Sequence, residues 1–213
     1  SATSVVFAVS AQTGGVVIAT TIATTTASIS LITPLIWGGN NNAGCEFRFK
    51  INTIASTFIL EGGFVDAVPG SSAPAITDID SATGAVMTCG ALFAFNNSQT
   101  HTAIAFATIG GATSQTFATT LLASGFTTPV ANTYITVKIQ LLTDPNETGQ
   151  TKAYMWVNGR LRASHVAAAG AVDGGQPMGF WFYGQSIAAA AKIYTMDYIR
   201  IWADRSTLEV ALE

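Results

Sequence analysis

Charge is what this sequence has least of. Asp, Glu, Lys and Arg make up 10 % of its 213 residues, against about 25 % in an ordinary soluble domain. None occurs before Glu46, and none between Asp80 and Lys138. Nine Lys and Arg stand against twelve Asp and Glu, which excludes a nucleic-acid binder that relies on a basic surface for phosphate contacts. With 49 % hydrophobic residues and a net charge of −3, the chain is also not disordered by composition. Long apolar runs are missing too. The best, Gly84 to Phe95, is broken by Thr88 and falls short of the ~18 residues a membrane span requires. Cysteine is scarce: Cys45 and Cys89 lie in apolar, strand-like runs and read as buried free thiols rather than a bridge. A chain of this length buries a core without a disulfide or metal. No charged segment followed by an apolar run and a cleavage site opens the chain. The start at Ser1-Ala2 reads as a cytosolic product trimmed of its initiator Met, or as a processed fragment.

Helical periodicity is the last absence. No long window keeps apolar residues at i, i+3, i+4 and i+7 behind a capping residue, and the Ala runs at 167–169 and 188–191 are too short to stand as helices. Period-two alternation is plentiful instead. From Cys45 to Ile51, Cys45, Phe47, Phe49 and Ile51 point one way and Glu46, Arg48 and Lys50 the other, as a half-buried strand requires. Ile135, Val137, Ile139 and Leu141 alternate with Tyr134, Thr136, Lys138 and Gln140. Near the end, Ile193, Thr195, Asp197, Ile199 and Ile201 alternate with Tyr194, Met196, Tyr198, Arg200 and Trp202. The pair Lys152–Val157 and Arg160–Val166, joined by Asn158-Gly159, predicts a hairpin with a type I′ turn. Further strands are predicted at 5–9, 16–21, 28–32, 57–62, 85–95, 102–108, 116–121 and 178–183, separated by turn-forming residues such as Gly38-Gly39-Asn40-Asn41-Asn42.

A dozen short strands without helical spacers predict an all-β, two-sheet antiparallel sandwich. The organisation expected is a neutral Thr/Val/Ala-rich arm or set of added strands over 1–43, followed by a jelly-roll domain over 44–213. The last strand and the segment from Met178 to Tyr183 are apolar on both faces. Three explanations compete: a third layer such as the N-terminal arm, another subunit, or packing beneath the chain's own loops.

Particular residues also carry a family likeness. The runs Tyr134-Ile-Thr-Val-Lys-Ile-Gln-Leu-Leu, Ala153-Tyr-Met-Trp-Val-Asn-Gly-Arg-Leu, Met178-Gly-Phe-Trp-Phe and Ile193-Tyr-Thr-Met-Asp-Tyr-Ile-Arg-Ile-Trp resemble the end of concanavalin A-like (laminin G-like) jelly-roll domains. Cys45-Glu-Phe-Arg-Phe-Lys-Ile, followed by Phe58-Ile-Leu-Glu-Gly-Gly-Phe-Val-Asp-Ala, is similar to the versions found in virion proteins of tailed bacteriophages. The likeness spans residues 44 to 204 and rests on strand spacing and hairpin chemistry rather than a catalytic signature.

That superfamily includes glycosidases, whose retaining members place two acids close together on one face. No Glu-x-Asp-x-Glu pattern is present. Glu46 is followed at alternate positions by Arg48 and Lys50, while Glu61 and Asp66 fall out of alternation across Gly62-Gly63. Asp78 and Asp80 offer oxygens for Ca²⁺ but lack the further acids of a dedicated loop, so a polar loop bonded to nearby backbone is the plainer reading. His101 and His165 have no metal-ligand partners at suitable spacing. No Gly-x-Ser-x-Gly elbow, phosphate-binding loop or dinucleotide fingerprint occurs. Neither an enzyme nor a cofactor is expected.

The resemblance therefore implies a structural virion protein, a capsid decoration or cement protein on the outer surface of a capsid lattice. Its partners would be the major capsid protein and copies of itself, as a trimer, with neither nucleic acid nor membrane. It would be made in the host cytoplasm and end on the virion. The expected interface residues are Val5, Phe7, Ile32, Leu35, Trp37, Tyr198 and Trp202. The alternative is a carbohydrate-binding, lectin-like module for host attachment, with sugar stacking on Trp156, Trp181 or Trp202.

Overall fold

The computed structural model describes residues 8–10, 16–20, 28–67, 73–79, 86–99, 104–110, 117–121, 128–143, 151–165, 172–188 and 190–204. Thirteen strands are present among them: β1 (Ala8–Ser10), β2 (Val16–Thr20), β3 (Ser28–Ile32), β4 (Gly44–Ile51), β5 (Phe58–Val65), β6 (Gly90–Asn96), β7 (Ala105–Ile109), β8 (Phe117–Leu121), β9 (Ile135–Thr143), β10 (Thr151–Val157), β11 (Arg160–His165), β12 (Gly179–Ser186) and β13 (Ile193–Trp202). One short 3₁₀ turn, Gly39–Asn41, interrupts them. The strands form a seven-stranded sheet in the order β1-β2-β13-β4-β9-β10-β11 and a six-stranded sheet in the order β3-β12-β5-β6-β7-β8. Every pairing is antiparallel. The chain is an all-β jelly-roll sandwich, as its alternation predicts. Residues 1–43 supply β1 and β2 at one edge of the larger sheet and β3 at one edge of the smaller.

The core follows from the alternation. On β4, Cys45, Phe47, Phe49 and Ile51 are buried and Glu46, Arg48 and Lys50 are half-buried on the opposite face. On β9, Ile135, Val137, Ile139 and Leu141 point inward in the same way. These residues meet aromatics from the other sheet: Phe47 lies edge-on to Phe180 at 5.4 Å, and Phe49 reaches Phe93 at 5.8 Å and Phe182 at 5.6 Å. Such ring pairs prefer tilted or edge contacts, and truncating a buried Phe to Ala here costs about 3–5 kcal/mol. Cys45 and Cys89 are free and buried. Burial raises both thiols, Cys89 to about 12, so neither is a ready nucleophile.

Two expectations are corrected. The last strand does not alternate simply along its whole length. A bulge between Met196 and Tyr198 shifts its register against β4, so Tyr194 and Met196 face the core before it and Ile199 and Ile201 after it. An extra residue in one strand reverses the facing of everything beyond it, which explains why both faces of the sequence look apolar. The region from Val86 to Cys89 lies outside β6, which begins at Gly90.

The apolar outer face of β12 is covered by the chain's own loops, which resolves the three-way choice for that strand. Ala75, Ile76, Ile79 and Met87 pack on Trp181, Tyr183, Ile59, Val65, Leu92 and Ala94 as a second, smaller core. The smaller sheet thus buries both of its faces around β5 and β12, while the larger sheet buries one.

Candidate functional site

The outer face of the seven-stranded sheet is built from the residues that alternation sends away from the core: Glu46, Arg48 and Lys50 on β4; Tyr134, Thr136, Lys138 and Gln140 along β9; Lys152, Tyr154 and Trp156 on β10; and Tyr198, Arg200 and Trp202 on β13. Seven of the nine Lys and Arg residues lie on strands of this sheet. The charge that is so sparse in the sequence is concentrated here.

Most of these cations rest on aromatic rings. Arg48 Cζ lies 4.5 Å and Lys50 Nζ 4.8 Å from the Tyr134 ring centre, and Arg200 Cζ lies 5.1 Å from that of Tyr198. Lys138 Nζ stands 4.7 Å from the Trp156 ring and 5.6 Å from the Trp202 ring. A ring face attracts a cation at such distances by about 0.5–1 kcal/mol where water has access. Arg48 also bonds Asp197 at 2.9 Å. Glu46 Oε1 accepts the Tyr198 hydroxyl at 2.7 Å. Partial burial, helped by Glu46, raises the Tyr198 phenol above its usual range.

Between these side chains lies a hollow of about 240 Å³ lined by Glu46, Thr136, Lys138, Trp156 and Gly159. Three local features shape its surroundings. Gly44, opposite Trp202 on the neighbouring strand, leaves the space the indole occupies: a Cβ on Gly44 would come within 2.4 Å of Trp202 Cε2 and Cζ2. The hairpin turn places Asn158 at φ 51° and Gly159 at φ 76°, the type I′ geometry that Asn-Gly favours. Asn158 then ties β9 to the turn, its backbone N–H bonding Thr136 O at 2.8 Å and its Oδ1 accepting the Thr136 N–H at 2.9 Å. Chemically the hollow offers a carboxylate acceptor, a hydroxyl, an ammonium donor and one indole, that of Trp156.

On the opposite sheet the acids on and just beyond β5 are turned to the loops that cover it. Glu61, fully buried on β5, accepts the backbone N–H of Ala75 at 2.7 Å and of Ile76 at 2.8 Å, and the Trp181 indole N–H at 3.1 Å. Burial raises its carboxyl to about 7 against these three opposing bonds. Asp66 accepts the Thr88 N–H at 3.0 Å and the Thr88 hydroxyl. The two acids are thus engaged in holding loops, and the retaining pair a glycosidase needs is not formed by them.

Of the expected interface residues, the structure brings Tyr198 and Trp202 together on β13 beside the hollow. Ile32 ends β3 opposite Trp181, Leu35 is exposed, and Trp37 is half-buried against the main core with its backbone paired to Met178. Val5 and Phe7 lie outside the described residues, as do Asp80 and His101. His165 is buried against the Phe106 ring at 5.2 Å. Among the described residues no group of His, Cys, Asp and Glu could hold a metal ion. Sequence reasoning named Trp156 and Trp202 as separate aromatics. It did not join them to Lys138, Thr136 and Glu46, because alternation gives each strand's facing but not which strands are neighbours, and the bulge in β13 hides the facing of Trp202.

No protein-family model matches the chain, and no curated protein matches it. Solved structures do. The carbohydrate recognition domain of Emp46p in its potassium-bound form superposes with a TM-score of 0.57 at 10 % identity, covering 88 % of this chain and 83 % of that one. The endo-β-1,4-glucuronan lyase from the fungus Trichoderma reesei superposes with a TM-score of 0.59 at 12 % identity, covering 96 % and 87 %. A mutant of the alginate lyase Aly36B in complex with alginate trisaccharide superposes with a TM-score of 0.55 at 9 % identity, covering 90 % and 83 %. At such identities the likeness shows the fold alone, a two-sheet antiparallel β-sandwich. That fold serves sugar binders and sugar-cleaving enzymes alike, and neither role transfers by fold alone.

Proposed function

We propose that this domain binds carbohydrate across the outer face of its seven-stranded sheet. The observation that supports this is the hollow between Glu46, Thr136, Lys138, Trp156 and Gly159, with Trp202 on the far side of Lys138. A sugar ring has apolar C–H faces and a rim of hydroxyls. Indole rings suit the first, and a few placed polar groups suit the second. The compared structures support the reading by fold, two of them being polysaccharide lyases and one a carbohydrate recognition domain. A glycan array probed with the full chain tests it. Selective binding that falls about tenfold (roughly 1.4 kcal/mol) in Trp156→Ala is expected, and absence of binding to every glycan overturns it.

A second reading, a bacteriophage capsid decoration protein, keeps one local observation in its favour: Leu31, Leu35 and Ile36 are all exposed beside β3, Ile36 by 67 %. Exposed apolar residues close together suit a protein partner. That reading carries a capsid-protein partner, self-association and a place on the virion. Loss of incorporation into particles on Leu35→Asp with Ile36→Asp supports it, and normal incorporation removes it.

A further inference from the structure

We propose that the carbohydrate taken by this face is acidic: a uronic-acid polysaccharide whose carboxylate pairs with Lys138. The inference rests on the carbohydrate reading above and narrows it to a ligand class.

Lys138 is the centre of the argument. Its direct cross-strand neighbour on β4 is Glu46, the natural partner for an ion pair across a sheet. No such pair forms: the ion pair among the described residues is Arg48 with Asp197. Glu46 turns instead to the Tyr198 hydroxyl, and Lys138 Nζ rests between the Trp156 and Trp202 rings. The ammonium is therefore positioned by rings, which leave its N–H donors free for an anion from solvent. The face around it shares that bias. Among the described residues Arg48, Lys50, Lys138 and Arg200 stand against Glu46 and Asp197 on it, in a chain whose net charge is −3.

The polar groups of the hollow fit one repeat of a polyuronate. The ammonium takes the carboxylate through a charge-assisted hydrogen bond. The second oxygen of Glu46 and the Thr136 hydroxyl, which also bonds Tyr198, take ring hydroxyls, and the Trp156 indole takes an apolar edge of the ring. A neutral glucan satisfies the last two contacts and leaves the ammonium without an anionic partner. A nucleic acid supplies anions but lacks the hydroxyl-bearing pyranose whose hydroxyls would donate to Glu46.

The test compares polyglucuronate, the same polymer after its carboxyls are reduced to give the neutral glucan, and single-stranded DNA, each titrated into the full chain at low and moderate salt. The expected result is binding to polyglucuronate that weakens about tenfold in Lys138→Gln, with the neutral polymer weaker and unmoved by that substitution. Equal binding of the acidic and neutral polymers overturns the proposal and leaves carbohydrate binding standing. Binding of neither polymer overturns the proposal, and the glycan array then decides the carbohydrate reading separately. Equal binding of DNA overturns the proposal in favour of a general anion surface. Lys138 is half-buried on the outer face, and an unchanged circular dichroism spectrum of the variant removes misfolding as a cause.

Discussion

Glu46 and Lys138 oppose each other directly across β4 and β9, yet each is held by an aromatic residue rather than by the other. Tyr198 donates its hydroxyl to Glu46 at 2.7 Å, and Trp156 receives the Lys138 ammonium at 4.7 Å from its ring centre. The consequence is an acceptor and a donor set side by side in one hollow, each with spare hydrogen-bonding capacity.

Gly44 is the test of how that hollow is shaped. The Trp202 indole lies where a side chain on Gly44 would stand, so Gly44→Ala is expected to displace the ring while leaving the inward residues of β4 in place. The predicted outcome is a shift in tryptophan fluorescence and weaker glycan binding, with thermal unfolding still cooperative. Unchanged affinity with a displaced indole would show that Trp202 takes no part in binding.

Glu61 gives a pH dependence with a definite sign. Its carboxyl is raised from 4.5 to about 7 in the folded chain, so its contribution to stability is present below pH 4.5 and is lost as pH rises through about 7. One pKa unit corresponds to about 1.4 kcal/mol, which makes the span on the order of 3 kcal/mol at most. His165 acts in the opposite sense. Burial lowers its pKa, opposed by its hydrogen bond to the Phe106 main chain, so its contribution is lost as pH falls. Denaturant unfolding of the wild type and of Glu61→Gln, compared at pH 5 and pH 8, isolates the first effect. The wild type is expected to lose stability relative to Glu61→Gln over that rise. A flat difference would mean that the bonds from Ala75, Ile76 and Trp181 outweigh the cost of burial.

Two glycines with positive φ predict unequal costs. Gly159, at φ 76°, has open space around a would-be Cβ, so Gly159→Ala carries only the backbone penalty of about 1–2 kcal/mol. Gly63, at φ 147°, would drive its Cβ to within 2.2 Å of the Ala91 carbonyl oxygen and 2.8 Å of Ile139 Cδ1. Strain and overpacking then add to roughly 3 kcal/mol or more. Urea denaturation of the two variants checks the order, and equal losses would contradict it.

The sandwich was legible in the sequence because β4, β9 and β10 alternate without interruption, and because Asn158-Gly159 fixes the hairpin of β10 with β11. Much of the site was legible for the same reason: Lys138 and Trp156 are outward by parity alone. Two things were not legible. The bulge between Met196 and Tyr198 exchanges the faces of β13, and nothing in a single sequence marks an inserted residue whose neighbours are apolar on both sides. The other is Glu61, which looks like a free strand carboxylate until the loop bearing Ala75 and Ile76 is seen to close over it. A partner separated by 14 residues of turn-rich chain leaves no periodic trace.

The central claim is that carbohydrate lies on the outer face of the seven-stranded sheet, and amide chemical-shift mapping with a bound oligosaccharide tests it most directly. The account predicts that perturbed amides concentrate on β4, β9, β10 and β13 around Glu46, Thr136, Lys138, Trp156 and Trp202, with β5 and β12 unmoved. Perturbations centred on Glu61, Trp181 and Tyr183 instead would contradict it and move the binding site to the opposite sheet.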